Sequence, residues 1–256
     1  MQITLLRKEF RRKGKTMKLR TFLTSICIAF SALSIKSEAA GFGLGKNVDS
    51  QNRPLDAVSF NEQYESDNAY ALTSDERRIL LTFDQGYENG FTAQILDTLK
   101  EKNVTAIFFL TGDYAKSETD LVNRMIDEGH IIGNHSMTHS SFSEISKDAM
   151  VEEIKSLHDY VLDKYDYEMQ YFRFPCGDYT EESINCVNEL GYKTLFWSFA
   201  YVDWYTDNQP DIDESMCKLC SGAHPGAIYL LHSVSSTNAQ ILGDVIDNLR
   251  AQGYTL

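Results

Sequence analysis

Five short stretches of this chain bring together the residue types used in hydrolysis: carboxylates, imidazoles and a guanidinium. They are Thr82-Phe83-Asp84-Gln85-Gly86, His135-Ser136-Met137-Thr138-His139, Arg173-Phe174-Pro175-Cys176-Gly177, Val202-Asp203-Trp204 and Leu230-Leu231-His232. His135 and His139 are four residues apart, so one helical turn would set both imidazoles on a single face, within reach of one divalent ion. Asp84 follows an apolar run, and Gly86 behind it would let the chain turn sharply and leave the carboxylate aimed outward. An arginine at 173 could pair with Asp84 and hold it ionised, available as a base. Asp203 could orient a histidine, Trp204 could offer an aromatic platform to a sugar face, and His232 closes an apolar run. Each residue has a plainer alternative: a surface pair, a turn cap, a solvated arginine, a buried tryptophan or a packed core histidine. Their coincidence favours chemistry.

The elements that must position these residues can be read from the pattern between them. Short apolar, β-branched or aromatic runs at Ile79–Phe83, Val104–Leu110, His130–Asn134, Tyr171–Phe174, Lys193–Ser198 and Ala227–His232 alternate with helical patterns at 92–102, 118–128, 146–165, 180–190 and 238–252. This alternation predicts an α/β fold with a parallel sheet, either open or closed into a barrel. Six strands, with a stub at Tyr254–Leu256, fall short of an eight-fold barrel. In either architecture function gathers at the C-terminal strand ends, which is where the five stretches lie.

Residues 41–76 carry little periodicity and read as a strap. The formal net charge of −13 hides two unlike parts, because residues 1–39 hold nine Lys/Arg and two acids, leaving 15 bases and 35 acids, a net −20, for the rest. So acidic a body is a poor match for nucleic acid or an anionic membrane surface. The basic end has the form of a secretory signal. A cationic stretch to Arg20 precedes the uncharged run Thr21–Ile35 and then Ser37 and Ala39 at the small positions of a cleavage site, with Met17 as an alternative start. Export, cleavage and no lasting membrane span are expected. Cys176, Cys186, Cys217 and Cys220 remain in the mature chain, where the lone Cys217-x-x-Cys220 suggests packing or a redox pair rather than a zinc knuckle.

The ordered set of five stretches resembles the polysaccharide deacetylases of the NodB-homology type, carbohydrate esterase family 4, from about Arg78 to the C-terminus. Gly86-Tyr87-Glu88-Asn89-Gly90, Val202-Asp203-Trp204 and the segment from His224 to Ser235 resemble the PdaA-type, muramic-acid deacetylase subgroup. The resemblance implies a distorted (β/α) barrel with fewer than eight strands and metal-dependent removal of the acetyl group from N-acetylmuramic acid in peptidoglycan. In the subgroup this leads to the muramic δ-lactam of the spore cortex. It implies that His135 and His139 hold a divalent metal, zinc, that Asp84 is the general base oriented by Arg173, and that the amide N–H of Cys176 faces the developing oxyanion. His232, held by Asp203, would protonate the departing amine.

Two residues depart from the pattern. Gln85 stands where the wider family has an acidic metal ligand, although the subgroup commonly has Asn there, and Cys176 stands where the subgroup usually has Arg. A de-N-acetylase of N-acetylglucosamine in peptidoglycan or chitin-like chains, and a silent glycan-binding module, therefore stay as alternatives. The expected partners are glycan strands, and the expected state is a monomer.

Overall fold

The computed structural model describes residues 40–256, so the proposed export signal lies outside the described residues. The six strands read from the sequence form as β3 (Leu80–Gln85), β4 (Ile107–Leu110), β5 (Ile131–Asn134), β6 (Tyr171–Phe172), β8 (Lys193–Leu195) and β10 (Ile228–His232). Two two-residue strands, β2 (Ala69–Tyr70) and β9 (Phe199–Ala200), bring the main sheet to eight, in the order β2-β8-β6-β5-β4-β3-β10-β9. All pairings in it are parallel, and the sheet curls as a half-barrel whose edges β2 and β9 do not pair with each other. The expected stub near the C-terminus reduces to a single bridge between Arg78 and Thr255.

Helices cover the convex side: α2 (Thr92–Glu101), α3 (Gly112–Ser117), α4 (Thr119–Asp127), α5 (Lys147–Tyr165), α6 (Glu181–Glu189), α7 (Ile212–Ser221) and α8 (Ser236–Ala251). Their starts follow local chemistry. Thr180 and Ser183 cap each other reciprocally at the head of α6, and the side chains of Ser146, Asp211 and Ser235 cap α5, α7 and α8. Strand β4, Ile-Phe-Phe-Leu, is buried throughout, as a central parallel strand covered on both faces must be. Alternation along the strands divides its side chains. Phe108 joins the large core under the helices, whereas Ile107 and Phe109 join a small cluster with Leu195 and Ile228 on the concave side.

The stretch from 40 to 76 is more than a cover. It forms β1 (Ala40–Gly41), which pairs antiparallel with β7 (Asp178–Tyr179), then α1 (Leu55–Tyr64), and then edge strand β2. Helix α1 buries Ala57, Phe60 and Tyr64, a three-then-four spacing that makes one face. Phe42 plugs the gap between this helix and the barrel, its ring 5.1 Å from Phe60, 4.7 Å from Phe196 and 5.3 Å from Trp197. Phe42→Ala is expected to destabilise the protein by about 3 kcal/mol, lowering Tm by about 6–12 °C for a domain of this size. Thermal unfolding followed by circular dichroism checks this.

Candidate active site

Period-two alternation sends Thr82 and Asp84 of β3 to the concave side, with His232 at the end of β10 directly across from Asp84 in register. Gly133 on β5 makes room beneath them, since a Cβ there would lie 2.4 Å from the Phe109 ring. The Arg173 guanidinium sits 4.2 Å above that ring and is wholly buried. Four of its five N–H donors are used. Nη1 donates to Asp84 Oδ1 (2.8 Å) and Thr82 Oγ1 (2.7 Å), Nε donates to the Leu195 carbonyl (2.9 Å), and Nη2 donates to the Phe196 carbonyl (3.1 Å). Thr82 in turn donates to the Tyr229 carbonyl at 2.6 Å, which turns its lone pairs toward the arginine. Burial alone would raise the Asp84 carboxyl. The Arg173 guanidinium, at 2.8 Å, outweighs burial and holds it below the ordinary carboxylate value, so Asp84 is ionised.

His135 and His139 do come together, with ring centroids 4.9 Å apart, but not on a helix. The segment is a loop in which Ser136 (φ 67°) and His139 (φ 59°) take the left-handed conformation. Neighbours support these turns. Asn134 Oδ1 accepts from Ser136 N–H at 2.9 Å, Ser136 Oγ accepts from His139 N–H at 3.0 Å, and Glu153 accepts from the Thr138 backbone at 2.8 Å. Gly112 is pressed against the loop, where a Cβ would meet the Met137 carbonyl at 2.5 Å. The expected single-turn helix is therefore corrected, although the proximity it was meant to deliver is present. Gly86, expected to make the turn after Asp84, does not adopt positive φ; Gly90 does, at 88°.

The Arg173 carbonyl can only accept, so its 2.8 Å contact fixes His135 with Nδ1 protonated and leaves Nε2 facing Asp84 Oδ2 at 3.5 Å. Burial pushes the His135 pKa down to about 4 and lowers that of His139, so both imidazoles are neutral near pH 7. Two neutral imidazoles beside an ionised carboxylate are the donor chemistry that a divalent cation takes. Among the described residues no group of three or more His, Cys, Asp or Glu is placed to hold a metal ion. Gln85 is fully buried and turned toward Ser233, to which its amide nitrogen donates, and its amide oxygen has no partner.

On the other side of the cavity, His232 Nδ1 donates to Asp203 Oδ1 at 2.7 Å. Asp203 Oδ2 accepts from the His232 backbone N–H (2.9 Å) and from Asn238 Nδ2 (2.7 Å). Burial alone would lower the His232 pKa, but the Asp203 carboxylate offsets burial and raises it above the ordinary histidine value. Nε2 is the nitrogen left for the cavity. That cavity, about 310 Å³, is lined by Asp84, His135, His139 and His232 together with Tyr87, Asp113, Met137 and Trp204. Arg173 and Asp203 stand behind it, Arg173 holding Asp84 and His135 and Asp203 holding His232. Cys176 is exposed, with φ 56°, and is not among the lining residues. Thr82 and Asn238 were not singled out from the sequence. A threonine within an apolar strand and an asparagine in a first helical turn carry no signal of their own.

The polysaccharide deacetylase family profile matches residues 71–195. The chain is 41% identical to the peptidoglycan-N-acetylmuramic acid deacetylase PdaA of Bacillus subtilis, over 89% of this chain and 87% of that protein. It belongs to the polysaccharide deacetylase family. As a family 4 deacetylase it is a hydrolase of carbon–nitrogen amide bonds, and the family's enzymes are generally metal-dependent. The solved structure of Bacillus subtilis PdaA covers 85% of this chain and 94% of its own at 40% identity, with a TM-score of 0.80. A peptidoglycan-N-acetylglucosamine deacetylase of Bacillus cereus is 30% identical over 72% of this chain and 66% of its own. The distorted α/β barrel implied by the resemblance is thus the fold of this deacetylase's relatives, with eight strands in the main sheet where fewer were expected.

Proposed function

We propose that the protein removes the acetyl group from N-acetylmuramic acid in peptidoglycan, the freed amine then closing on the lactyl carboxylate to give the δ-lactam of spore cortex. The observation that carries this reading is the cavity itself, with ionised Asp84 on one side and His232 on the other, in a chain 41% identical to PdaA. Asp84 takes the proton from the attacking water as oxygen bonds to the acetyl carbon. His232, charged and held through Nδ1, delivers a proton from Nε2 to the nitrogen as the carbon–nitrogen bond breaks, leaving acetate and a free amine. Trp204, its ring 5.7 Å from that of His232, takes the face of the sugar. Arg173 keeps Asp84 ionised. His135 and His139 would hold the divalent metal, zinc, which would supply Lewis acidity toward the acetyl carbonyl and water. Residues 1–39 are assigned as a cleaved export signal, 40–76 as a strap and 77–256 as the catalytic domain of an exported monomer acting at the wall. Among the described residues no helix is long and apolar enough to cross a membrane.

A second reading, action on N-acetylglucosamine, is favoured by one feature: no Lys or Arg lines the cavity, and Cys176 brings no cation to meet a lactyl carboxylate. The same assay decides between them. Purified protein given zinc and peptide-free glycan is expected to release acetate and yield muramic δ-lactam by mass spectrometry, to stop on chelation and to recover on adding zinc. Acetate accompanied by free glucosamine and no lactam would select the second reading. No acetate with any divalent metal would overturn both.

A further inference from the structure

Three aromatic side chains among the described residues are exposed, Tyr87 (54%), Trp204 (41%) and Tyr205 (50%); two line the active cavity and the third adjoins one of them. Aromatic surface left in water is costly, and its concentration at one place marks a contact site. Tyr87 and Trp204 line the cavity and are joined, the Tyr87 hydroxyl donating to the Trp204 carbonyl at 3.3 Å. Tyr205 does not line it. Its ring lies 5.7 Å from that of Trp204, which carries the aromatic surface outward past the chemistry.

Both supporting loops are pinned. Glu88 accepts from the backbone of Gly90 (2.6 Å) and Thr92 (3.3 Å), and Asn89 donates to the Val234 carbonyl (3.0 Å), fixing the loop that shows Tyr87. Gln209 donates to the Tyr205 carbonyl (2.9 Å) and accepts from Ser236 N–H (2.9 Å), fixing the other. The backbone that carries each ring is thus fixed before anything binds, which lowers the ordering cost of binding.

We propose that Tyr205, continuing the surface of Tyr87 and Trp204, forms a subsite for the sugar ring next to the one being deacetylated. The occupant is an uncharged pyranose face of the same glycan strand, because Tyr205 adjoins Trp204, which lines the cavity that holds the reacting sugar. The inference rests on the deacetylase reading, and it makes Tyr205 a determinant of chain-length preference rather than a catalytic residue.

The test compares the unaltered zinc-loaded protein with Tyr205→Ala and Tyr205→Phe on a peptide-free disaccharide and on a longer glycan oligomer. Tyr205→Ala is expected to raise KM on the oligomer about 2- to 10-fold, with kcat on both substrates and KM on the disaccharide unchanged. Tyr205→Phe is expected to behave like the unaltered protein. Equal KM for Tyr205→Ala and unaltered protein on the oligomer would overturn the proposal, as would a dimer seen by light scattering that Tyr205→Ala abolishes while leaving KM untouched. Should the unaltered protein release no acetate, the activity reading fails by itself. Titrating the oligomer into the same variants then decides the subsite, with weaker binding to Tyr205→Ala expected and equal binding overturning it.

Discussion

Replacing Asp84 by asparagine is expected to lower kcat for acetate release by about 1000-fold, within the range that loss of a positioned general base produces. The same substitution should be visible with no substrate present. Asp84 gives the fully buried Arg173 guanidinium a charged partner, at 2.8 Å. Removing one member of such a pair leaves an uncompensated buried charge, and about 3 kcal/mol of stability should go with it. Acetate release and thermal unfolding of one variant therefore test two consequences of a single contact. Activity within tenfold of the unaltered enzyme would end the assignment of Asp84 as base, and an unchanged Tm would end the account of Arg173.

Asp203→Asn is expected to lower kcat by about 100-fold and to move the alkaline limb of the pH–rate profile toward lower pH. The sign follows from the geometry. Asp203 stabilises the charged imidazole of His232 and so raises its pKa against the opposing effect of burial. Activity that needs protonated His232 falls as pH rises through that raised value, and without the carboxylate the fall begins earlier. Stability moves in the same sense. The contribution of the His232–Asp203 pair is fully present below the unfolded histidine pKa and is lost as pH rises through the folded one. An alkaline limb that stays in place in Asp203→Asn would assign the acid to another group.

The parallel sheet and the chemical residues were legible in the sequence for one reason: apolar runs that end in Asp84, Arg173 or His232 state both the strand and its active end. What was hidden lacked a local signature. Strands β2 and β9 have two residues each, too few for alternation, and exist only because β8 and β10 offer them edges. Helix α1 shows just three buried positions, Ala57, Phe60 and Tyr64, alongside an exposed Leu55 and a half-buried Val58, and its face acquires meaning from Phe42 and the barrel wall. The His135–His139 approach relies on left-handed Ser136 and His139, where no glycine announces the turn. Asn238 becomes a site residue only when the start of α8 is brought beside Asp203, 35 positions earlier in the chain.

The Arg173 guanidinium, bonded at once to β3 through Thr82 and Asp84 and to the end of β8 through Leu195 and Phe196, ties distant staves of an unclosed barrel to one another. Disabling the enzyme and loosening its frame are for that reason one event at this position. A descendant that kept the glycan grip but shed the hydrolysis would find its easiest route through the histidines at the cavity wall, since any route through the arginine would first have to re-brace the barrel.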